Sequence, residues 1–352
     1  MVMTSFCDIH PDIIQTHILP RLNGQSLSAT SAVSAHLHSL CSDHNLWTPI
    51  STSTWPSITD PRVHDVISTF PAGHRSFFQD SFPALTTNDV NDRPSQRSDL
   101  LFSHDLNCPS QLISAVDIRY QSDVVYSKVE FTDTTTDFLS SKLKIELNDC
   151  NGSESKHPTR ISQYIGVKVD ELAGADEATL SHLKESMELS WIIIDPTRKR
   201  AGNISSIKPL SARQGWMTND TVLEYVTVLP GSDPNEMVQC RIKMVLGVDT
   251  QNMGLYVKKV VLKLRDLNYK CLNGREFLVT TQGAISEENN VTRKVLEDDE
   301  ERWRSYNEIK ELKRKKRELV EKEEKKKEFA MNYVGMSLSF CFSVFFLVLS
   351  IQ

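Results

Sequence analysis

The sequence predicts an α+β protein with several domains: a small helical module, a mainly antiparallel β-sandwich-like domain, a long charged helix and a C-terminal transmembrane helix. Three observations support this prediction. Apolar residues recur at helical spacing through the first 50 residues, alternating apolar residues recur between residues 110 and 290, and the charge pattern changes abruptly after residue 297. The 352 residues are enough for two folded domains with additional segments.

The composition is that of a globular protein. Hydrophobic residues make up 39% and charged residues 24%, which excludes wholesale disorder, a collagen-like chain and a protein with several membrane spans. The net charge of −6 and the pI of about 6.0 give no overall electrostatic reason to expect nucleic acid as a partner. Seven cysteines are scattered singly without a C-x-x-C pair, a pattern that indicates free thiols in a reducing compartment.

The first predicted domain, residues 5–50, is helical. Pro11 suits the first turn of a helix, apolar residues follow at helical spacing, and Asn23-Gly24 marks the end of that helix. A second apolar run continues to Leu46-Trp47. A helical module of this size buries too little surface to be stable alone, so we expect part of its apolar set to face a partner. The alternative is that the whole set forms the core of the module.

This region resembles the F-box family. The resemblance runs through His10-Pro11-Asp12-Ile13-Ile14, Ile18-Leu19-Pro20-Arg21-Leu22, Leu27, Ala32-Val33-Ser34, Leu40-Cys41 and Leu46-Trp47. The order and spacing match, with His10 in place of the family's leucine before proline and His38 where many members have tryptophan. The resemblance implies contact with a Skp-type adaptor. The residues expected at that contact are Pro11, Ile14, Ile18, Leu22, Leu27, Val33, Leu40 and Trp47, with Ile14, Leu22 and Trp47 as the strongest candidates.

Segments beyond this module resemble one plant F-box subfamily in particular. They are Ser53-Thr54-Trp55-Pro56-Ser57, Phe70 to Pro83, Leu189 to Pro196, Arg198-Lys199-Arg200-Ala201 and Asn203-Ile204-Ser205-Ser206. The resemblance covers most of residues 1–285 and implies a substrate receptor of an SCF (Skp, cullin, F-box) ubiquitin ligase. Its partners would be a Skp-type adaptor, a cullin bound through that adaptor, and an unidentified protein target.

Residues 51–85 are predicted to extend the helical module. Residues 86–109, rich in Asn, Asp, Ser and Pro, are predicted to form a linker. A β-rich substrate-recognition domain follows over residues 110–290, with a short helix around Glu177 to Lys184. Seven strands are predicted from β-branched or alternating apolar residues: Val124 to Phe131, Lys142 to Leu147, Tyr164 to Val169, Met187 to Ile194, Val222 to Leu229, Val238 to Leu246 and Tyr256 to Leu264.

The sequence contains no recognisable catalytic or metal-binding motif. It has no G-x-x-x-x-G-K, G-x-S-x-G or H-E-x-x-H sequence and no dinucleotide-binding glycine string. His36, His38, Cys41 and His44 form the densest set of possible metal ligands, but on a helix they point around most of the circumference. We therefore expect no catalytic residue, no cofactor and no metal, and ubiquitin transfer would be performed by enzymes that the cullin brings.

The C-terminal segments change character abruptly. Residues 297–328 contain 12 acidic and 12 basic residues, with Glu-to-Lys/Arg pairs at i,i+4 and no clean heptads, and predict a solvated helical stalk. Residues 331–352 carry no charge, and as a helix of roughly 33 Å they are long enough to cross a membrane. Lysines upstream indicate a single-pass tail anchor with the N-terminal domains in the cytosol. The alternative is a buried C-terminal core element, with the protein in the cytoplasm or nucleus.

The leading hypothesis is a receptor that docks the adaptor and holds its target near the conjugating enzyme at a membrane surface. Two other functions stay open. A membrane-tethered glycan- or lipid-binding module without a ubiquitin ligase role would show exposed aromatic residues and a cleft on one face of the sandwich. A hydrolytic enzyme built on the β domain would need a convergent acid/base pair, which the sequence does not reveal.

Overall fold

The structure is a computed structural model, and it shows a helical region followed by two antiparallel sheets. The described residues are 10–82, 108–148, 177–215, 218, 220–231, 237–249, 254–266, 269–285, 304, 307, 308, 310–329, 331 and 333.

The helical region consists of short helices joined by tight turns. Its α-helices are α1 (Pro11–Ile13), α2 (Gly24–Ser31), α3 (Ala35–Cys41), α4 (His44–Thr54), α5 (Pro61–Ser68) and α6 (His74–Ser81). A π-helical turn, Ile14–Ile18, and a 3-10 turn, Leu19–Arg21, continue α1, and a second 3-10 turn, Pro56–Thr59, follows α4. Helices α2 to α5 begin at side-chain caps: Asn23, Ser34, Asp43 and Asp60 each accept a hydrogen bond from a backbone N–H two or three residues later.

The strands form two sheets. They are β1 (Gln111–Tyr120), β2 (Asp123–Asp133), β3 (Ile145–Asn148), β4 (Met187–Asp195), β5 (Arg200–Asn203), β6 (Ser211–Gln214), β7 (Thr221–Pro230), β8 (Met237–Asp249) and β9 (Gly254–Arg265). The four-stranded sheet has the order β2-β1-β4-β5 and the five-stranded sheet the order β3-β9-β8-β7-β6, with antiparallel pairing in both. The accompanying helices are α7 (Thr136–Ser140), α8 (Glu177–Ser186), α9 (Gly274–Ile285) and α10 (310–329).

The four-stranded sheet is covered on both faces, which gives the molecule three layers. Leu112, Val116 and Trp191 belong to the core shared with the five-stranded sheet, whereas Ile113 and Ile192 belong to the core shared with the helical region. Successive side chains of a strand point to opposite faces, so a strand buried on both faces is a continuous apolar run. The run from residue 191 to residue 194 in β4 is of this kind, and each of its side chains is at most 1% exposed.

Polar contacts hold the helical region on this sheet. The carboxylate of Asp117 in β1 accepts hydrogen bonds from the backbone N–H of Ser57 at 2.9 Å and from the Ser57 hydroxyl at 2.5 Å. Two residues further along the same face, Nη2 of Arg119 donates to the carbonyl oxygen of Thr54 at 3.0 Å. The turn after α4 is therefore bonded to the middle layer as well as packed on it.

Most of the strand predictions are confirmed. Six of the predicted strands coincide with or overlap β2, β3, β4, β7, β8 and β9, and the predicted short helix is α8. The remaining predicted strand, Tyr164 to Val169, lies outside the described residues, as does nearly all of the predicted linker. None of the predicted elements corresponds to β1, β5, β6 or α9.

The missed elements lack a one-sided apolar pattern. In β1 seven consecutive residues are buried because both faces of the strand are covered, so apolar residues do not alternate with polar ones. In α9 every residue from Phe277 to Ile285 is buried, so the helix has no polar face to reveal its period. Strands β5 and β6 contain only four residues each, too few for a periodic signal.

The prediction of a C-terminal transmembrane helix is corrected. In the part of the chain that the structure describes, no helix combines the length and the apolar character that a membrane crossing requires. Most of the segment predicted to cross, residues 331–352, lies outside the described residues. The fold class is a helical N-terminal region followed by antiparallel sheets, and the single-pass, tail-anchored localisation is withdrawn together with the helix.

Helix α10 contacts the end of the five-stranded sheet. Lys313 is only 2% exposed, and its ammonium group donates to Oε1 of Gln239 in β8 at 3.2 Å. The same ammonium lies 4.8 Å from the centre of the Tyr269 ring, and the guanidinium of Arg317 lies 4.6 Å from it. Most other described side chains of this helix are exposed to solvent, as its charge predicts.

Candidate functional site

The residues expected to contact an adaptor divide into buried and accessible groups. Ile14, Leu27 and Trp47 are buried, with exposed fractions of 1%, 0% and 0%. The indole N–H of Trp47 donates to the carbonyl oxygen of Cys41 at 2.7 Å, which ties α4 to the end of α3. These three side chains hold the helices together, and in this state they offer no surface to a partner.

Aromatic residues after the first four helices complete this core. The ring of Phe78 lies 5.3 Å from Trp47 and 5.3 Å from Trp55, and Phe77 meets Trp55 edge-on at 5.6 Å. Aromatic rings in such tilted and edge-on contacts add about 0.5–1.5 kcal/mol per pair to the energy of burial. Residues 55–78 are therefore part of the same folding unit as the predicted helical module.

The other predicted contact residues lie at the rim of the core or outside it. Ile18, Leu22 and Leu40 are half-buried and pack against the core from its edge. Pro11 is exposed, and Val33 is 73% exposed at the turn between α2 and α3. The structure thus brings six of the eight residues into one cluster and leaves these two on the surface.

The predicted set of adaptor-contact residues does not contain Ile13, an exposed apolar residue of α1. Ile13 precedes the buried Ile14 and is 49% exposed. Adjacent residues of a helix are about 100° apart around its axis, so only one of the two isoleucines can face the core. This spacing rule identifies Ile13 as a candidate for surface contact.

Three histidines of the helical region, His44, His64 and His74, lie close to one another. His74 at the start of α6 is buried, and neither of its ring nitrogens has a hydrogen-bond partner among the described residues. Its ring lies 5.2 Å from that of His64. Burial lowers the pKa of His74 to about 4, and the neighbouring His64 and His44 contribute to the decrease. Across the described ranges, no three His, Cys, Asp or Glu side chains are arranged to hold a metal ion.

Two buried carboxylates of the four-stranded sheet have structural partners. Burial raises the pKa of Asp117, and the hydrogen bonds from Ser57 and Ser127 oppose that rise. Asp195 accepts a hydrogen bond from the side-chain amide of Gln282 in α9 at 3.0 Å. Both carboxylates are 2% exposed and lie in separate interfaces, so they do not form an acid/base pair that a substrate could reach.

Three relatives from Arabidopsis thaliana match this chain. It is 37% identical over 344 residues to "F-box protein At2g27310", a match that covers 95% of this chain and 94% of the relative. It is 35% identical over 286 residues to "F-box protein At3g44326", covering 78% of this chain and 73% of the relative. It is 34% identical over 279 residues to "Probable F-box protein At2g36090", covering 79% and 74%. No protein-family profile matches the chain, and no solved structure does.

These matches extend through both the helical region and the sheets. The match of 344 residues spans nearly the full length of the chain and of the relative, so it is not a likeness of the helical region alone. It agrees with the residues that resemble an F-box between His10 and Trp47, which the structure folds into helices around a common core. The chain belongs to the plant F-box protein family.

Proposed function

We propose that this protein is the substrate-recognition subunit of an SCF-type ubiquitin ligase, with the helical region binding a Skp-type adaptor and the β-rich domain binding a protein target. The observation that carries this proposal is the exposure of Ile13 and Val33 beside a completed core. The resemblance between His10 and Trp47 implies an adaptor contact in this region, and exposed apolar side chains that lie together are typical of a surface that binds another protein. The names of the relatives support the same role.

The proposed adaptor contact is revised from the sequence prediction. Its centre is formed by Pro11, Ile13 and Val33, which are exposed, with Leu22 and Leu40 at the rim. The buried members of the predicted set act indirectly, because they position the helices that carry the exposed residues. Binding energy is concentrated in a few residues that become fully desolvated near the centre of an interface, so the exposed residues at the proposed centre are the ones to test.

The proposed mechanism is proximity. Binding of the target to the same chain as the adaptor raises the local concentration of target lysines near the charged conjugating enzyme. The receptor then needs stable surfaces for two partners and no reactive group.

The test measures the affinity of the full chain for a Skp-type adaptor by calorimetry. We expect Ile13→Asp and Val33→Asp each to weaken binding by about tenfold or more, because a carboxylate would lose its hydration in the interface. Leu319→Asp is the matched control, since Leu319 is 62% exposed on α10, and it should leave the affinity unchanged. All three sites are exposed, so circular dichroism should show folded protein in each case. Equal adaptor binding by the wild type and the Ile13→Asp/Val33→Asp double variant would refute the proposed contact.

A further inference from the structure

The outer face of the five-stranded sheet is strongly basic. In β8 and β9, Cys240, Ile242, Leu262 and Leu264 point into the sandwich core, so the alternate residues point outward. The outward basic residues form what we call the basic face: Arg213 of β6, Arg241 and Lys243 of β8, and Lys259, Lys263 and Arg265 of β9. These residues are half-buried or exposed.

The acidic residues on this face neutralise only part of its charge. Glu224 pairs with Arg213 at 3.5 Å and with Arg241 at 3.7 Å, and Glu146 pairs with Lys144 just before β3. Six basic residues against two acidic ones leave a charge of 6 − 2 = +4 on the strands, in a chain whose net charge is −6. Among the described residues, no ion pair is formed by four of the six: Lys243, Lys259, Lys263 and Arg265.

The arrangement brings like charges together. Arg241 and Lys263 lie directly opposite each other on adjacent strands, a placement that destabilises a sheet. Burial lowers the pKa of Lys243, the nearby Arg213, Lys259 and Arg241 add to the decrease, and Glu224 opposes it. Lys313 of α10 also reaches this face through its hydrogen bond to Gln239. A packed sheet that holds its cations together at a cost in stability is already organised to receive negative charge.

The basic face is also remote from the proposed adaptor contact. The helical region packs on one side of the four-stranded sheet, and the five-stranded sheet packs on the other. Packed layers are about 10 Å apart, so the basic face lies at least about 20 Å from the helical layer. A partner on this face and an adaptor on the helical region can therefore be bound at the same time.

We propose that the basic face binds an acidic, extended segment of the target protein. Residues i and i+2 of an extended chain are about 6.6–6.8 Å apart, which is also the spacing of Lys263 and Arg265 along β9. Carboxylates at alternate positions of an extended peptide therefore match these two cations. The identification of this partner as the degradation target rests on the proposed function, whereas binding of an acidic segment does not.

The test uses the full chain and a labelled peptide with aspartate at alternate positions, five in all, separated by serine. A peptide with asparagine in place of aspartate is the matched probe. Fluorescence anisotropy at ~50 mM salt should show binding of the aspartate peptide, and ~500 mM salt should weaken it by more than about tenfold, because salt screens exposed charges. The Lys263→Glu/Arg265→Glu variant should also lose about tenfold or more.

The control variant is Lys184→Glu/Arg275→Glu, which changes the net charge equally at exposed positions on α8 and α9. It should bind the peptide within about twofold of the wild type. An equal loss in the control, or equal binding of the asparagine peptide, would overturn the proposal. So would an oligonucleotide of equal charge that binds over about tenfold more tightly, since the face would then suit nucleic acid.

Two further measurements separate this proposal from its alternatives. Replacing the acidic run at residues 297–301 with glutamine and asparagine should leave the affinity for the peptide unchanged. If the affinity rose by over about tenfold, the basic face would bind this chain's own acidic run, and the proposal would be overturned. The Lys263→Glu/Arg265→Glu variant should keep its affinity for the adaptor, and Val33→Asp should keep its affinity for the peptide. Loss of one binding activity without the other shows which of the two proposals has failed.

Discussion

At the scale of single residues, His74 is the least conventional feature of the helical region. A buried imidazole usually donates and accepts hydrogen bonds, yet both ring nitrogens of His74 lack a partner among the described residues. The charged groups that influence it are the histidines His64 and His44, and a second or third positive charge there would be repelled. The neutral form of His74 is therefore the one compatible with the folded state.

This environment predicts acid sensitivity. The pKa of His74 is about 4 in the folded chain against an ordinary 6.5, so the unfolded chain binds more protons between these values. The contribution of neutral His74 to the free energy of unfolding is complete above pH 6.5. It decreases as the pH falls toward 4, by at most about 3 kcal/mol. Urea unfolding from pH 7.5 to pH 4.5 should show a smaller loss for His74→Leu than for the wild type. His36→Leu, at an exposed position, should show the same dependence of the free energy of unfolding on pH as the wild type. The same dependence in all three proteins would contradict the prediction.

At the scale of elements, the approach of α2 to α6 depends on a residue without a side chain. Gly24 begins α2, and a Cβ atom added there would lie 2.0 Å from Cζ of Phe78. The ring cannot easily move aside, because Phe78 is 4% exposed and in contact with Trp47, Trp55 and Phe82. A glycine at the first position of the helix allows the two helices to pack this closely.

Gly24→Ala should therefore lower the free energy of unfolding by about 1–3 kcal/mol through overpacking. The neighbouring substitution Gln25→Ala, at an exposed position of the same helix, should change it by no more than about 0.5 kcal/mol. Denaturant unfolding measures both. In the double variant Gly24→Ala/Phe78→Leu the two effects should not add, because the smaller side chain provides room for the new methyl group. Strict additivity would show that the predicted contact does not limit the packing.

At the scale of the whole molecule, the helical region and the sandwich share one structural unit. Ile113 and Ile192 of the four-stranded sheet lie in the same core as Trp47. Asp80 of α6 forms an ion pair with Arg200 of β5 at 2.8 Å. The residues that resemble an F-box therefore depend on a sheet whose strands lie between residues 111 and 203.

We expect helical and sheet signals to disappear in one unfolding transition, and Asp117→Ala to shift both together. The substitution leaves the Ser57 backbone N–H and the hydroxyls of Ser57 and Ser127 without their acceptor. It should lower the free energy of unfolding by about 2–4 kcal/mol. Hydrogen exchange of the helical and the strand segments, followed by mass spectrometry during urea unfolding, provides the two signals. Asp65→Ala on the exposed face of α5 is the control. Loss of one signal at a lower urea concentration would show that the layers unfold separately.

Local patterns in the sequence were sufficient to identify the family and most of the strands. The apolar spacing between His10 and Trp47 and the alternation in β2, β7, β8 and β9 depend on neighbouring residues only, so a short window of sequence contains them. Composition was less reliable at the C-terminus, where an uncharged run led to the corrected prediction of a membrane anchor. An apolar segment has the same composition whether it faces lipid or protein, so the run alone did not decide between them.

The sequence by itself determined that this is an F-box protein with a helical region before a β-rich domain. Only the tertiary structure decided which apolar side chains are buried and which are accessible, because burial depends on a covering surface from distant parts of the chain. Adjacent isoleucines therefore have opposite roles, with Ile14 in the core and Ile13 at the surface. The basic face arises in the same way: its cations come from β6, β8 and β9, and strand register brings residues 213 to 265 onto one surface. No local window of the sequence contains that juxtaposition, since hydrogen bonding between strands creates it.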